Sequence, residues 1–172
     1  MKKIITLITV LFLASCSCKK VNSQNHSTAN LTSDCPKNGT CSLELFKGKS
    51  MLVNQDEFNK PYYELEENAA TTVLKYTYSR TVKGNIQDAG YREEIVFEIN
   101  NDQKNIILTD DSLQNTKMLY GRFCYCKGQT GYYKVSKGNL NISKKPEETA
   151  IALDFKIDAV PQIITAISLV IK

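Results

Sequence analysis

Apolar side chains recur at every second position along much of this chain, and that period belongs to extended strands with one buried face. Leu74, Tyr76, Tyr78 and Val82 fall on one face, with Lys75, Thr77, Ser79 and Thr81 on the other. Ile95, Phe97 and Ile99 alternate with Glu94, Val96 and Glu98. The cleanest run is Ile151, Leu153, Phe155 and Ile157 against Ala152, Asp154 and Lys156. Residues 45–53, 106–109, 118–126, 131–135 and 140–143 carry the same β-branched and aromatic bias.

Turn signals separate these runs: Lys47-Gly48-Lys49, Lys83-Gly84-Asn85, Asn100-Asn101-Asp102, Lys127-Gly128-Gln129 and Lys137-Gly138-Asn139. The pattern predicts one all-β domain, an antiparallel sandwich or barrel-like body of about 8–10 short strands. Near the C-terminus Val160, Ile163, Ile164, Ile167, Val170 and Ile171 also fit a helical face. Their β-branched character favours a strand, with Asp158-Ala159-Val160-Pro161 as the turn before it.

One apolar stretch lacks the alternation. After Met1-Lys2-Lys3, residues 4–14 are almost wholly apolar. Spanning a bilayer takes about 20 such residues, so the stretch fits the core of an export signal instead. Leu13-Ala14-Ser15-Cys16 follows and resembles the lipobox of bacterial lipoproteins. The resemblance implies cleavage before Cys16, acylation of that cysteine and a membrane-lipid partner. It also implies, with Ser17 next in line, an outer-membrane position facing the periplasm. Residues 1–15 are then the signal, 16–33 a polar tether and 34–172 the folded domain. The tether's composition cannot offset the entropy of ordering, and its reach is about 20–25 Å. Asp111-Ser112-Leu113 resembles a short O-glycosylation signal of some lipoproteins.

Charge adds little. There are 22 basic and 18 acidic residues, and removing Lys2 and Lys3 with the signal leaves the chain near neutral. No block of like charge marks a nucleic-acid partner.

The only histidine, His26, lies in the tether, which removes Ser-His and Cys-His nucleophile pairs from the body. Glycines are scattered singly, with no phosphate loop. Glu93-Glu94 and Asp110-Asp111 are adjacent pairs, which a strand sends to opposite faces. No catalytic residue, cofactor or metal is expected from these features.

Four cysteines remain in the body: Cys35, Cys41, Cys124 and Cys126. In an exported protein they read first as disulfides, with three possible pairings. On an extended strand Cys124 and Cys126 would stand about 6.5–7 Å apart at Cα, the upper edge of disulfide geometry. That favours two long-range bridges from Cys35 and Cys41 to the Cys-Tyr-Cys pair, each worth about 4–5 kcal/mol. The alternative is a soft-metal or thiol-active site built from the same four thiols. Nine tyrosines suit half-buried strands, or else a recognition surface. The expected role is a non-enzymatic binding or envelope-associated component.

Overall fold

A computed structural model describes residues 35–82, 84 and 89–172. The expected signal, tether and Cys16 lie outside these residues, as do Lys83 and Asn85 of one expected turn.

The fold is all-β, two antiparallel sheets packed face to face with no closed barrel. The first sheet contains β1 (Gly39–Gln55), β2 (Pro61–Arg80), β3 (Tyr91–Asn100), β5 (Leu119–Cys124) and β6 (Gly131–Lys134), in the order β1-β2-β3-β5-β6. The second contains β4 (Asn105–Thr109), β7 (Gly138–Lys145), β8 (Glu148–Phe155) and β9 (Ala166–Ile171), in the order β4-β7-β8-β9. A 3₁₀ segment, Asp110–Thr116, carries the chain from β4 back to the first sheet.

The alternating residues build the core. Leu43, Tyr76, Ile95 and Phe97 of the first sheet meet Leu140, Ile151, Leu153 and Phe155 of the second. On β8 and β9 the opposite positions, Ala152, Asp154 and Ser168, face water, as a one-sided sheet requires. Tyr76, Tyr78 and Tyr120 are buried filler of this core. Val82 and Ile157 fall just beyond their strands.

β1 and β2 are far longer than short strands, at 17 and 20 residues. Lys47-Gly48-Lys49 is not the turn the sequence predicts but the β1 side of a break in register, where Gly48 stands against four residues of β2, Asn68 to Thr71. The pairing jumps from Lys47↔Thr72 to Lys49↔Glu67, and Gly48 has φ +70°. Glycine takes that backbone region at no steric cost. Beyond this break the two strands continue as an arm, residues 49–55 and 61–67, that folds over the outer face of the first sheet. Met51, Val53, Tyr63 and Leu65 of the arm pack with Val73, Val96 and Leu119 in a second apolar cluster. Glu98 secures the arm, accepting from Met51 N–H at 2.6 Å and Ser50 Oγ at 2.8 Å. Lys117 Nζ lies 2.9 Å from Glu98 Oε1 and donates to Met51 O at 2.7 Å. The outer face of β3, expected to be solvated, is therefore covered. Residues 93–97 of β3 are all buried as a result.

At the C-terminus the strand reading holds for β9 alone. Residues 156–165 are irregular, so Val160, Ile163 and Ile164 enter the core from a loop.

Candidate binding groove and the paired cysteines

A groove lies where β1 at Lys47 approaches the turn between β7 and β8. Leu45, Leu74 and Ile99 of the first sheet and Ile171 of the second line it, and its volume is about 550 Å³. That volume lies within the range of small-ligand sites. Lys47, Lys144, Lys145 and Lys172 stand around it, with Glu147 and Glu148. Lys145 faces Glu148 at 3.9 Å. Lys144 Nζ donates to Asn100 O at 2.7 Å and Asn101 O at 3.3 Å. Partial burial pulls the Lys144 ammonium below the usual lysine range, so an anion placed beside it would favour its charged form. The sequence signals for this site were weak. Its floor is ordinary core alternation, and its lysines come from β1, β7 and the residue after β9.

At the Cys35 end of the domain stands a buried carboxylate. Glu93 points into the inter-sheet core with no exposed surface. Its Oε1 and Oε2 accept the Ile163 N–H at 2.7 and 3.0 Å, and Oε2 accepts the Ile164 N–H at 2.7 Å. The Tyr91 hydroxyl also donates to it. Beside it the buried Tyr120 hydroxyl has no hydrogen-bond partner among the described residues. Burial first, and the Glu93 charge second, hold that phenol in its neutral form far above neutral pH. Glu94 points the other way, as alternation predicts. It takes Arg92 Nε at 2.8 Å and Tyr132 OH at 2.7 Å. Each carboxylate is thus committed to a structural contact. Asp110 likewise accepts the Gly138 N–H at 3.0 Å, and Ser112, within the Asp-Ser-Leu triplet, donates to Thr109 O at 2.6 Å.

The cysteines form two local pairs, which corrects the long-range pairing expected from the sequence. Cys35 is bonded to Cys41, with Cα atoms 5.8 Å apart. Cys124 and Cys126 lie at bonding distance from each other, with Cα atoms 5.3 Å apart. The strand ends where the extended geometry would have failed: Cys126 N–H donates to Cys124 O at 2.8 Å, a three-residue turn that draws the pair together. Cys41 pairs with Tyr78, Tyr78 with Glu93 and Glu93 with Arg122, so three strand spacings, about 14 Å, separate Cys41 from the strand of Cys124. Long-range bridges cannot form across that gap, and the four sulfurs do not share one site. Among the described residues no group of three or more His, Cys, Asp or Glu is placed to hold a metal ion. The bridges contribute about 2 kcal/mol for Cys35–Cys41 and about 1.5 kcal/mol for Cys124–Cys126 in the chain-entropy account, well below the long-range figure.

The fold defines the class, an antiparallel β-sandwich with one strand pair folded back as a covering arm. The chain matches no protein-family model, no curated protein and no solved structure. Among the described residues no helix is long and apolar enough to cross a membrane.

Proposed function

We propose that this chain is a lipid-anchored, non-enzymatic binding protein of the bacterial envelope, and that its groove takes an anionic amphiphile. The observation that carries the reading is the groove itself, with aliphatic residues from both sheets as its floor and four lysines at its rim. An apolar tail would lie against Ile171 and the rim of the core at Leu45, Leu74 and Ile99, and an acidic head would meet Lys144 and Lys47. Burying apolar surface supplies about 25 cal/mol per Å². The lysines orient the ligand rather than supply most of the affinity.

The anchor and the groove are geometrically compatible. The chain enters the domain at Cys35, and β1 runs from Gly39 to Leu45 before it reaches the groove. Six residues of strand are about 20 Å. With Cys16 acylated, the tether would hold the Cys35 end near the bilayer and the groove would open away from it.

Fluorescence titration with anilinonaphthalene sulfonate, and its displacement by dodecanoate, tests the groove. Lys144→Gln combined with Lys47→Gln should weaken dodecanoate binding about three- to tenfold, the value of one or two partly exposed charge contacts. Unchanged affinity in that variant would place the ligand elsewhere and refute the reading. The anchor is tested separately: a Cys16→Ala chain that stayed in the membrane fraction would overturn it.

A further inference from the structure

The two cysteine pairs differ in what they could do for the fold. Cys35 and Cys41 pack against the main core. Cys124 and Cys126 sit half-buried at the end of β5, outside both apolar clusters. Their sequence separation is 2, and the turn hydrogen bond from Cys126 N–H already holds their backbones together. The shorter loop gives the smaller entropic contribution of the two. Structural bracing by packing against the core accounts for the first pair and leaves room for a further role in the second.

The surroundings of the second pair supply one. Cys124 lines an open hollow of about 560 Å³ together with Arg80, Tyr91 and Arg92. Tyr91 is its direct cross-strand neighbour. The Arg80 guanidinium lies 4.3 Å from the centre of the Tyr91 ring, and that of Arg122 lies 5.4 Å from it. Arg92 lies 4.5 Å from the ring of Phe123. Of the nearby carboxylates, Glu93 is buried among its own donors, and Glu94 is ion-paired with Arg92 at 2.8 Å, which offsets part of that cation's charge and leaves Arg80 as the main cation of the hollow. Cationic surroundings stabilise a thiolate, which makes a better leaving group. Tyr125, between the two cysteines, is 87 % exposed and gives an incoming chain an aromatic surface to rest on.

We propose that Cys124–Cys126 is an exchangeable disulfide that oxidises a dithiol of another polypeptide. A thiolate of that polypeptide attacks Cys126 Sγ, the Cys124–Cys126 bond breaks, and Cys124 leaves as a thiolate in the hollow it shares with Arg80 and Arg92. The second thiolate of the partner then attacks the sulfur it shares with Cys126. The partner's own disulfide forms and Cys126 leaves. The partner loses two electrons, this pair gains them, and the two thiol protons pass from the partner to Cys124 and Cys126. This role is independent of the groove.

The test uses the full mature chain, purified without reductant. Reduced glutathione is added, samples are quenched in acid and alkylated, and peptide mass spectrometry follows each bridge. Cys124–Cys126 should open at least about tenfold faster than Cys35–Cys41, as exposed bridges do relative to packed ones. An Arg80→Gln, Arg92→Gln double variant should slow its opening severalfold and leave Cys35–Cys41 unchanged, the second bridge serving as the control for folding. A synthetic dithiol peptide should be oxidised one for one with loss of the Cys124–Cys126 bridge. Equal opening rates for the two bridges, a peptide left reduced, or free thiols at Cys124 and Cys126 in the purified chain would each overturn the proposal.

Discussion

Removing the Glu93 carboxylate should undo the seam between the two sheets at the Cys35 end of the domain. Glu93 is fully buried on β3 of the first sheet, yet its donors at Ile163 and Ile164 lie on the loop leading into β9 of the second. A hydrogen bond to a charged group contributes about 1.5–3 kcal/mol, and an unpaired buried N–H costs about 1–3 kcal/mol. Glu93→Ala leaves two backbone N–H groups and the Tyr91 hydroxyl without their acceptor. The expected loss is about 3–5 kcal/mol, a large part of the 5–15 kcal/mol that holds a typical domain together. Glu93→Gln keeps the volume and one acceptor oxygen but turns an NH₂ toward donors, so about 2–3 kcal/mol is expected. Urea unfolding gives these values, and amide hydrogen exchange at Ile163 and Ile164 locates them. Those two amides should lose protection in both variants, while the amides of Leu140 and Ile151 in mid-sheet change only with global stability. A Gln variant within about 0.5 kcal/mol of the native chain, with protection at Ile163 and Ile164 intact, would refute the reasoning, because that is the scatter of ordinary surface substitutions.

Glu98→Ala should release the arm, since Met51 N–H, Ser50 Oγ and Lys117 all converge on that carboxylate. Calorimetry should show a loss of about 2–4 kcal/mol, and Met51 and Val53 should become accessible to proteolysis; an unchanged melting temperature would contradict the clamp. Lys137 and Lys156 hold the Asp158 carboxyl below the usual aspartate range by hydrogen bonds and charge. A depressed folded-state pKa means a contribution present at neutral pH and lost as pH falls through that lowered value. Carboxyl NMR titration should find Asp158 below its ordinary value, returning toward it in Lys137→Ala, and no change in that variant would remove Lys137 as the cause.

Alternation alone was enough to specify strands and a one-sided core. Leu74-Tyr76-Tyr78, Ile95-Phe97-Ile99 and Ile151-Leu153-Phe155 all face inward as their period requires, because a strand sends alternate side chains to opposite faces whatever lies around it. It also put Glu93 and Glu94 on opposite faces. What lies against each face is a property of the fold, and local periodicity carries no record of it. Nothing in Glu94-Val96-Glu98 announces that an arm will cover it. The arm begins where four residues of β2, Asn68 to Thr71, stand against Gly48 of β1 and the register breaks, and its Tyr63-Leu65 alternation is hidden among glutamates. The cysteines repeat the lesson. The spacing of Cys124 and Cys126 on an extended strand lies at the upper edge of disulfide geometry, and the long-range pairing it favoured fails because β5 ends at Cys124 and the chain turns there. The groove and the hollow beside Cys124 are likewise tertiary, assembled from strands that meet only when the two sheets pack.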